Sequence, residues 1–217
     1  MCINYLTPTP HQLRSHFSAR FDHDADWPEE AWQDYAAPII LPHGIAKTAS
    51  YGMIPKAHQP EGARLSTMNA RAETLGERPA YRYAWQHTQF CLVPMLGFFE
   101  PCYESGKAER WQIGMADGSP FAVAGLWRTW QTATGERSHA FTQITINADD
   151  HPLMRRMHKP EDEKRSLVIV RPEEYDAWLT CQNTETARSF LRAYPGDKMT
   201  AFASPKAARV SQNLSLF

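Results

Sequence analysis

A succession of short apolar runs of strand length through the middle of the chain constrains the fold most. They are Phe90 to Val93, Met95 to Phe99, Trp111 to Met115, Phe121 to Trp127 and Phe141 to Ile146, rich in the β-branched and aromatic residues that strands favour. Helix signals gather at the two ends instead. Thr9-Pro10 ahead of Leu13, His16 and Phe17 predicts an N-capped helix with proline at its first position. Ser166-Leu-Val-Ile-Val170 predicts a buried strand, Arg171-Pro-Glu-Glu-Tyr175 opens a helix with acids in its first turn, and Thr184 to Tyr194 predicts another helix. Asp117-Gly118-Ser119, between two of the runs, predicts a hairpin. Consecutive strands with helices outside them indicate an α+β fold with a largely antiparallel sheet, not a doubly wound one. No glycine-rich dinucleotide fingerprint or phosphate loop is present, so a nucleotide cofactor has no support.

The chain has 217 residues, against a typical ~150 per domain. Its 16 prolines are scattered rather than gathered into a linker, and no repeat is visible, so one domain over residues 1–217 is expected. With 42% hydrophobic residues a real core can form. No apolar run approaches the ~18 residues of a membrane helix, and Met1 is not followed by a secretory leader pattern. The expectation is a soluble, cytoplasmic protein, monomeric and away from membranes. Cys2, Cys91, Cys102 and Cys181 lie far apart without a Cys-x-x-Cys pair, which suggests neither a zinc site nor a disulfide framework. Lys and Arg number 23 against 24 Asp and Glu, so bulk attraction to nucleic acid is not expected and any polyanion must meet a local patch. Charge is uneven, with acids alone between Asp22 and Asp34 and an excess of bases from Lys47 to Arg82. Two ordinary solvated faces are the reading preferred, and a phosphate-tracking groove needs other support.

Cys2 carries the most chemical information. Once an initiator methionine is removed, the chain begins with an amine and a thiol on one residue. Their ordinary pKa values, ~7.7–8.0 and ~8.5, leave both partly reactive near neutral pH. An aldehyde condenses with such an aminothiol to an imine, which the thiol closes to a thiazolidine; alternatively the thiol attacks a carbonyl with the amine as base.

Three other residues are candidates for supporting that chemistry. Asn69 lies where a polar loop runs into Asn69-Ala-Arg-Ala-Glu-Thr74; it is either a helix cap or an amide that holds an amine or a sugar hydroxyl, and Arg71 nearby suits a phosphate. Glu100 ends Gly97-Phe-Phe-Glu100 after an apolar strand; poor solvation there would raise its pKa toward proton transfer, or it faces water at a strand end. His158 follows a cation-rich helix-like segment and precedes Lys159-Pro160, a position from which an imidazole can move a proton near neutrality. One of nine histidines is as readily a packing residue, and no third ligand at metal spacing accompanies His151 and His158.

Together, Cys2, Asn69-Ala-Arg-Ala-Glu-Thr74, Gly97-Phe-Phe-Glu100 and His158 before a Val-Ile strand resemble the SRAP family, the SOS response-associated peptidase-like proteins, over nearly the whole chain. The resemblance implies a β-barrel-like core with flanking helices, a groove for single-stranded DNA and covalent capture of abasic sites without a cofactor or metal. It implies that Cys2, freed by self-removal of Met1, bonds to the sugar aldehyde as a thiazolidine. Asn69 would then position the adduct, Glu100 and His158 would move protons, and the imine would allow some lyase activity. Arg71, Pro38, Tyr51, Lys159 and Arg165 fall where the family contacts DNA. The family pattern Cys-Gly-Arg is here Cys2-Ile3-Asn4, and its Asn-x-Ala-Pro is Ala36-Ala37-Pro38. Its Trp-Gly-x-x-Pro-x-Trp is Tyr51-Gly-Met-Ile-Pro-Lys-Ala57, and its compact His-x-Arg-Met-Pro is stretched to His158 through Ser166. The four reactive groups remain while the DNA contacts are thinned. Two competing functions stand beside this one: a non-covalent single-strand or junction-binding module, and an N-terminal-nucleophile amidohydrolase.

Overall fold

A computed structural model describes residues 2–21, 26–131 and 134–206. Met1 and the acids Asp22 and Asp24 lie outside the described residues. Strand β1 (Asn4–Leu6) leads to helix α1 (Pro10–Phe17), followed by β2 (Arg20–Phe21), β3 (Glu30–Trp32), β4 (Ala36–Leu41), β5 (Ile45–Tyr51) and β6 (Asn69–Arg71). Helix α2 (Pro79–Gln86) precedes the central strands β7 (Phe90–Met95), β8 (Gly97–Cys102), β9 (Glu109–Met115), β10 (Phe121–Gln131) and β11 (Arg137–Asn147). The chain continues through β12 (Arg165–Leu167), β13 (Ile169–Val170), α3 (Tyr175–Thr180), α4 (Thr184–Arg188) and β14 (Met199–Ala203).

The α+β fold is built from two sheets. One has five strands in the order β14-β9-β8-β1-β3, all antiparallel. The other has nine, and it closes on itself: β11, β10, β7, β4 and β5 follow one another by antiparallel pairing, and β5 returns to β11 through the parallel pairs Ser50–Ala140 and Tyr51–Phe141. Closure removes the sheet edges that these strands would otherwise present.

Alternation along the barrel strands sends successive residues to opposite sides. Phe121 and Val123 of β10, Cys91, Val93 and Met95 of β7, and Ile39 and Leu41 of β4 join one apolar cluster with Tyr5, Phe98 and Ile113 of the five-stranded sheet. Their neighbours Ala122, Ala124, Leu126, Phe90, Leu92 and Ile40 join a second cluster, under Leu13 of α1, Trp85 of α2, Trp178 of α3 and Ala187 of α4. Burial on both faces makes these strands read as continuous apolar runs. Cys2 belongs to the first cluster and is 1% exposed.

The helix expected after Thr9 is present, with a capping box in which the Thr9 hydroxyl accepts from Gln12 N and the Gln12 side chain accepts from Thr9 N. Three expectations are corrected. Asp117-Gly118-Ser119 is a turn, with the Asp117 carboxylate accepting from Ser119 N, but it joins strands of different sheets and makes no hairpin. The run Ser166–Val170 is divided at Val168, because β12 pairs with β11 whereas β13 pairs with β10. The segment expected to be helical from Thr184 to Tyr194 keeps α-helical form only to Arg188.

Candidate functional site

The second residue is fastened by its backbone. Its carbonyl oxygen accepts from Asn69 Nδ2 at 2.6 Å and lies 3.3 Å from the Tyr51 hydroxyl, which is 3.0 Å from Gln143 Oε1. Tyr51 stacks on Phe141 at 5.2 Å and meets Tyr5 edge-on at 5.3 Å, so the N-terminal residue rests against an aromatic wall. Asn69 does not cap a helix: it opens β6, which pairs in parallel with β11 in the register Asn69–Gln143 and Arg71–Thr145. The β6–β11 pairing thus sets the carboxamide against Cys2 and places Gln143 beside it.

Glu100 lies within β8, 4% exposed, which excludes a carboxylate facing water at a strand end. His158 Nε2 stands 3.0 Å from Glu100 Oε2, and the His158 ring is equally buried. The imidazole reaches that position through an unusual backbone: His158 has φ +63°, its N–H donates to Pro101 O at 2.7 Å, and Met157 bridges Cys102 just before it. A non-glycine residue held in the left-handed region stores strain, which is commonest at functional sites. His158 Nδ1 is buried with no hydrogen-bond partner among the described residues.

Electrostatics connect the two halves. Burial pushes the Cys2 thiol far above its ordinary range, and the Glu100 carboxylate adds to the rise. Burial does the same to the Tyr51 phenol, with Cys2, Tyr5 and Glu100 contributing. The thiol is therefore uncharged at neutral pH and donates to Asn4 O at 3.3 Å. The structure brings Cys2, Asn69, Glu100 and His158 into one cluster, two of them from strands rather than loops.

Of the residues expected at a DNA face, three are inside. Pro38 is buried in the barrel wall opposite Thr48, Tyr51 is 0% exposed, and Arg165 is 3% exposed in an ion-pair network. Pro38 and Tyr51 offer no open face to a nucleotide, and the Arg165 guanidinium is engaged by Glu73, Glu163 and Thr145. Arg71 is exposed but sits 2.7 Å from Glu163, and Lys159 is exposed. A cleft of about 280 Å³ opens beside the cluster, with Glu100 on its floor and Ile3, Trp32, Phe99, Arg110 and Lys206 around it. Arg110 lies 3.2 Å over the Phe99 ring and Lys206 3.8 Å over Trp32, which puts cations and aromatic faces at its rim. Asn4, where the family pattern has arginine, turns inward and its side chain donates to Glu30, itself 2.8 Å from Arg110. The residues not foreseen in this role are Gln143, the Tyr51 hydroxyl and Arg110; a polar Thr142-Gln143 inside an apolar strand was the available signal for the first.

Comparison with known proteins places the molecule. A Bacillus subtilis protein named abasic site processing protein YobE is 32% identical over 155 residues, 70% of this chain and 67% of the relative. A second B. subtilis protein, abasic site processing protein YoaM, is 30% identical over 155 residues, 70% of this chain and 65% of the relative. A crystal structure of a Bordetella bronchiseptica protein superposes with a TM-score of 0.86 at 35% identity, covering 94% of this chain and 99% of that one. A Bacteroides thetaiotaomicron structure shares the fold, with a TM-score of 0.78 at 22% identity over 94% of this chain and 93% of its own. The family model for SOS response associated peptidases matches residues 1–211, and the chain belongs to the SRAP family.

Proposed function

We propose that the protein captures abasic sites in single-stranded DNA as a covalent thiazolidine on Cys2 after Met1 has been removed by the protein itself. The observation that carries this reading is the convergence on Cys2: Asn69 Nδ2 at 2.6 Å from its carbonyl, with its thiol in the field of Glu100, which pairs with His158 at 3.0 Å. The names of the B. subtilis relatives support the abasic site as the target.

Loss of Met1 turns the Cys2 amide nitrogen into an amine. That amine adds to the aldehyde carbon of the ring-opened sugar to give a carbinolamine, whose hydroxyl leaves as water to form an imine. The Cys2 sulfur then adds to the same carbon and the thiol proton passes to the nitrogen. One C–N and one C–S bond form, the C=O bond is lost and one water departs. Because the buried thiol is held protonated, the amine is the first nucleophile and the sulfur the second. Departure of water needs an acid and imine formation needs a base, and the Glu100–His158 pair holds a proton between two buried groups for both tasks. The imine also permits strand cleavage by β-elimination when ring closure is slow. Asn69 and Tyr51 hold the carbonyl of the reacting residue, which restrains its amine relative to the arriving aldehyde.

An abasic site offers no base to read, so recognition rests on the backbone and the gap. The cleft rim of Arg110, Lys206, Trp32 and Phe99 supplies charge and stacking surface next to Glu100. The test is a denaturing gel of the Met1-processed protein mixed with an abasic single strand. A band resistant to denaturant in the wild type and absent in Cys2→Ala supports the reading; a Cys2→Ala protein that still crosslinks overturns it. If neither crosslinks but both shift the strand in a native gel, the protein is a non-covalent binder. Release of ammonia from glutamine would favour the amidohydrolase instead.

A further inference from the structure

The turn from Lys159 to Lys164, where this chain is longer than its family's pattern, ends in an acid that fills a site suited to phosphate. Glu163 Oε2 lies 2.7 Å from Arg71 Nη1, and its Oε1 lies 2.8 Å from Arg165 Nη1 and accepts from Asn147 Nδ2 at 3.2 Å. One carboxylate thus bridges two guanidinium groups and an amide, the donor set that binds a phosphodiester. Arg165 is not free to swing away. It is 3% exposed, forks onto Glu73 at 2.9 Å through both terminal nitrogens, and donates to Thr145 O at 2.9 Å. Arg71 is on β6 two residues from Asn69, and its partner across the sheet is Thr145. The cradle is therefore one step along the same strand pair from the carboxamide that holds Cys2. Glu163 itself is on the surface, so it can leave its place without opening the core.

We propose that Glu163 is a built-in competitor for strand phosphate: it occupies an anion cradle of Arg71, Arg165 and Asn147, and a backbone phosphate flanking the abasic site must displace it. The inference rests on the DNA reading above and adds to it a residue that sets affinity. Strands bind weakly while Glu163 is seated, and a phosphate gains the cradle only when the aldehyde is also held at Cys2. Intact single strands are thereby rejected in favour of those that react. The Arg71–Glu163 contact is the movable half of the cradle, and the Arg165–Glu73 fork is the fixed half.

A double-mutant cycle on the full chain tests this, with Glu163→Ala, Arg71→Ala and the pair, and Glu163→Gln as a variant that keeps the size and hydrogen-bonding capacity of the side chain. The readout is anisotropy of a labelled single strand with no abasic site, so that binding is measured without crosslinking. Glu163→Ala is expected to tighten binding by about tenfold, and Glu163→Gln by less, since a competing charge is removed from a guanidinium. Arg71→Ala should cost little in the wild type and abolish the gain in the Glu163→Ala background. Equal or weaker binding by both Glu163 variants, with melting temperatures at the wild-type value, overturns the inference. A gain that survives Arg71→Ala overturns it as well. The covalent reading is scored separately by the abasic crosslink of the same wild-type protein, so either can fail alone; if no variant binds the intact strand, this inference is overturned and the covalent reading still stands or falls on its crosslink.

Discussion

The 2.6 Å bond from the Asn69 amide to the Cys2 carbonyl holds the backbone of the residue on which the proposed chemistry depends. Asn69→Ala leaves the distant Tyr51 hydroxyl as the donor, and the Cys2 backbone gains freedom. Crosslinking should slow by about 10²-fold, the cost of a misplaced reacting atom, with non-covalent strand binding little changed; single-turnover kinetics with an abasic oligonucleotide distinguish the two. The thiol makes a second prediction. Burial and the Glu100 carboxylate raise its pKa, so it stays protonated through the range near ~8.5 where a free cysteine ionises. Alkylation of Cys2 in the folded protein at pH 8 should therefore be at least about tenfold slower than in a peptide of the same N-terminal sequence. Equal rates contradict the assignment. At this scale the Asn69-Ala-Arg-Ala-Glu-Thr74 and Gly97-Phe-Phe-Glu100 runs single out Asn69 and Glu100, whereas a second-position cysteine and one of nine histidines gain meaning only in conjunction with them. The roles of Gln143 and the Tyr51 hydroxyl have no such local mark, because they come from parallel pairings of β11 with β6, Gln143 against Asn69, 74 residues away, and with β5, Phe141 against Tyr51.

Elements that carry their own stop and start signals form where local chemistry places them. The capping box of α1 closes on Thr9 and Gln12 alone, so Thr9→Ala should cost about 1 kcal/mol in denaturant unfolding with no effect on the site. The turn from Lys159 to Lys164 is different, because charge holds it. Hydrogen bonding from Arg165 keeps the Glu163 carboxylate below its ordinary range; at Glu73 burial is the largest influence and pushes upward, but the Arg165 hydrogen bond and charge together with backbone hydrogen bonds outweigh it, and the net shift is also downward. Groups depressed in the folded state stabilise it above their unfolded pKa, near ~4.3 for glutamate, and that contribution is lost as pH falls through the lower folded value. Melting temperature should thus fall below about pH 4.5, and Glu163→Gln should flatten that fall. Identical pH profiles for the two proteins would contradict the network. The short β12 and β13 were read as one strand for a physical reason. Leu167 to Val170 is an unbroken apolar run, and only the change of partner from β11 to β10 at Val168 divides it.

Across the whole molecule, the sequence marks the central strands β7 to β11 and the Ser166–Val170 run, but not β1 to β6 or β14, and it marks no strand's partner. Two buried faces give β7 and β10 their continuous apolar character, which marks a strand but carries no record of which neighbour it joins. Hence Asp117-Gly118-Ser119 looked like a hairpin although β9 and β10 belong to separate sheets, and the closure of β5 on β11 had no local signature. Gly125 is the position where closure is most demanding. A Cβ there would stand 2.8 Å from Thr142 O, 2.9 Å from Cys91 Sγ and 3.0 Å from Val93 Cγ2. Gly125→Ala should destabilise the barrel by about 1–3 kcal/mol and raise the amide exchange of β7, β10 and β11 together.

These elements place Cys2 beside the Asn69 carboxamide and the buried Glu100–His158 pair, and the proposed chemistry makes Cys2 an aminothiol there. Intact-mass spectrometry of the Met1-processed protein, incubated with an oligonucleotide bearing one abasic site and then denatured and digested, tests that placement most directly. The account predicts a one-to-one adduct, heavier than the two reactants by their sum less one water, with the nucleic acid on the peptide that begins at Cys2. An adduct mapped to any lysine, or one formed equally by protein that retains Met1, would contradict it.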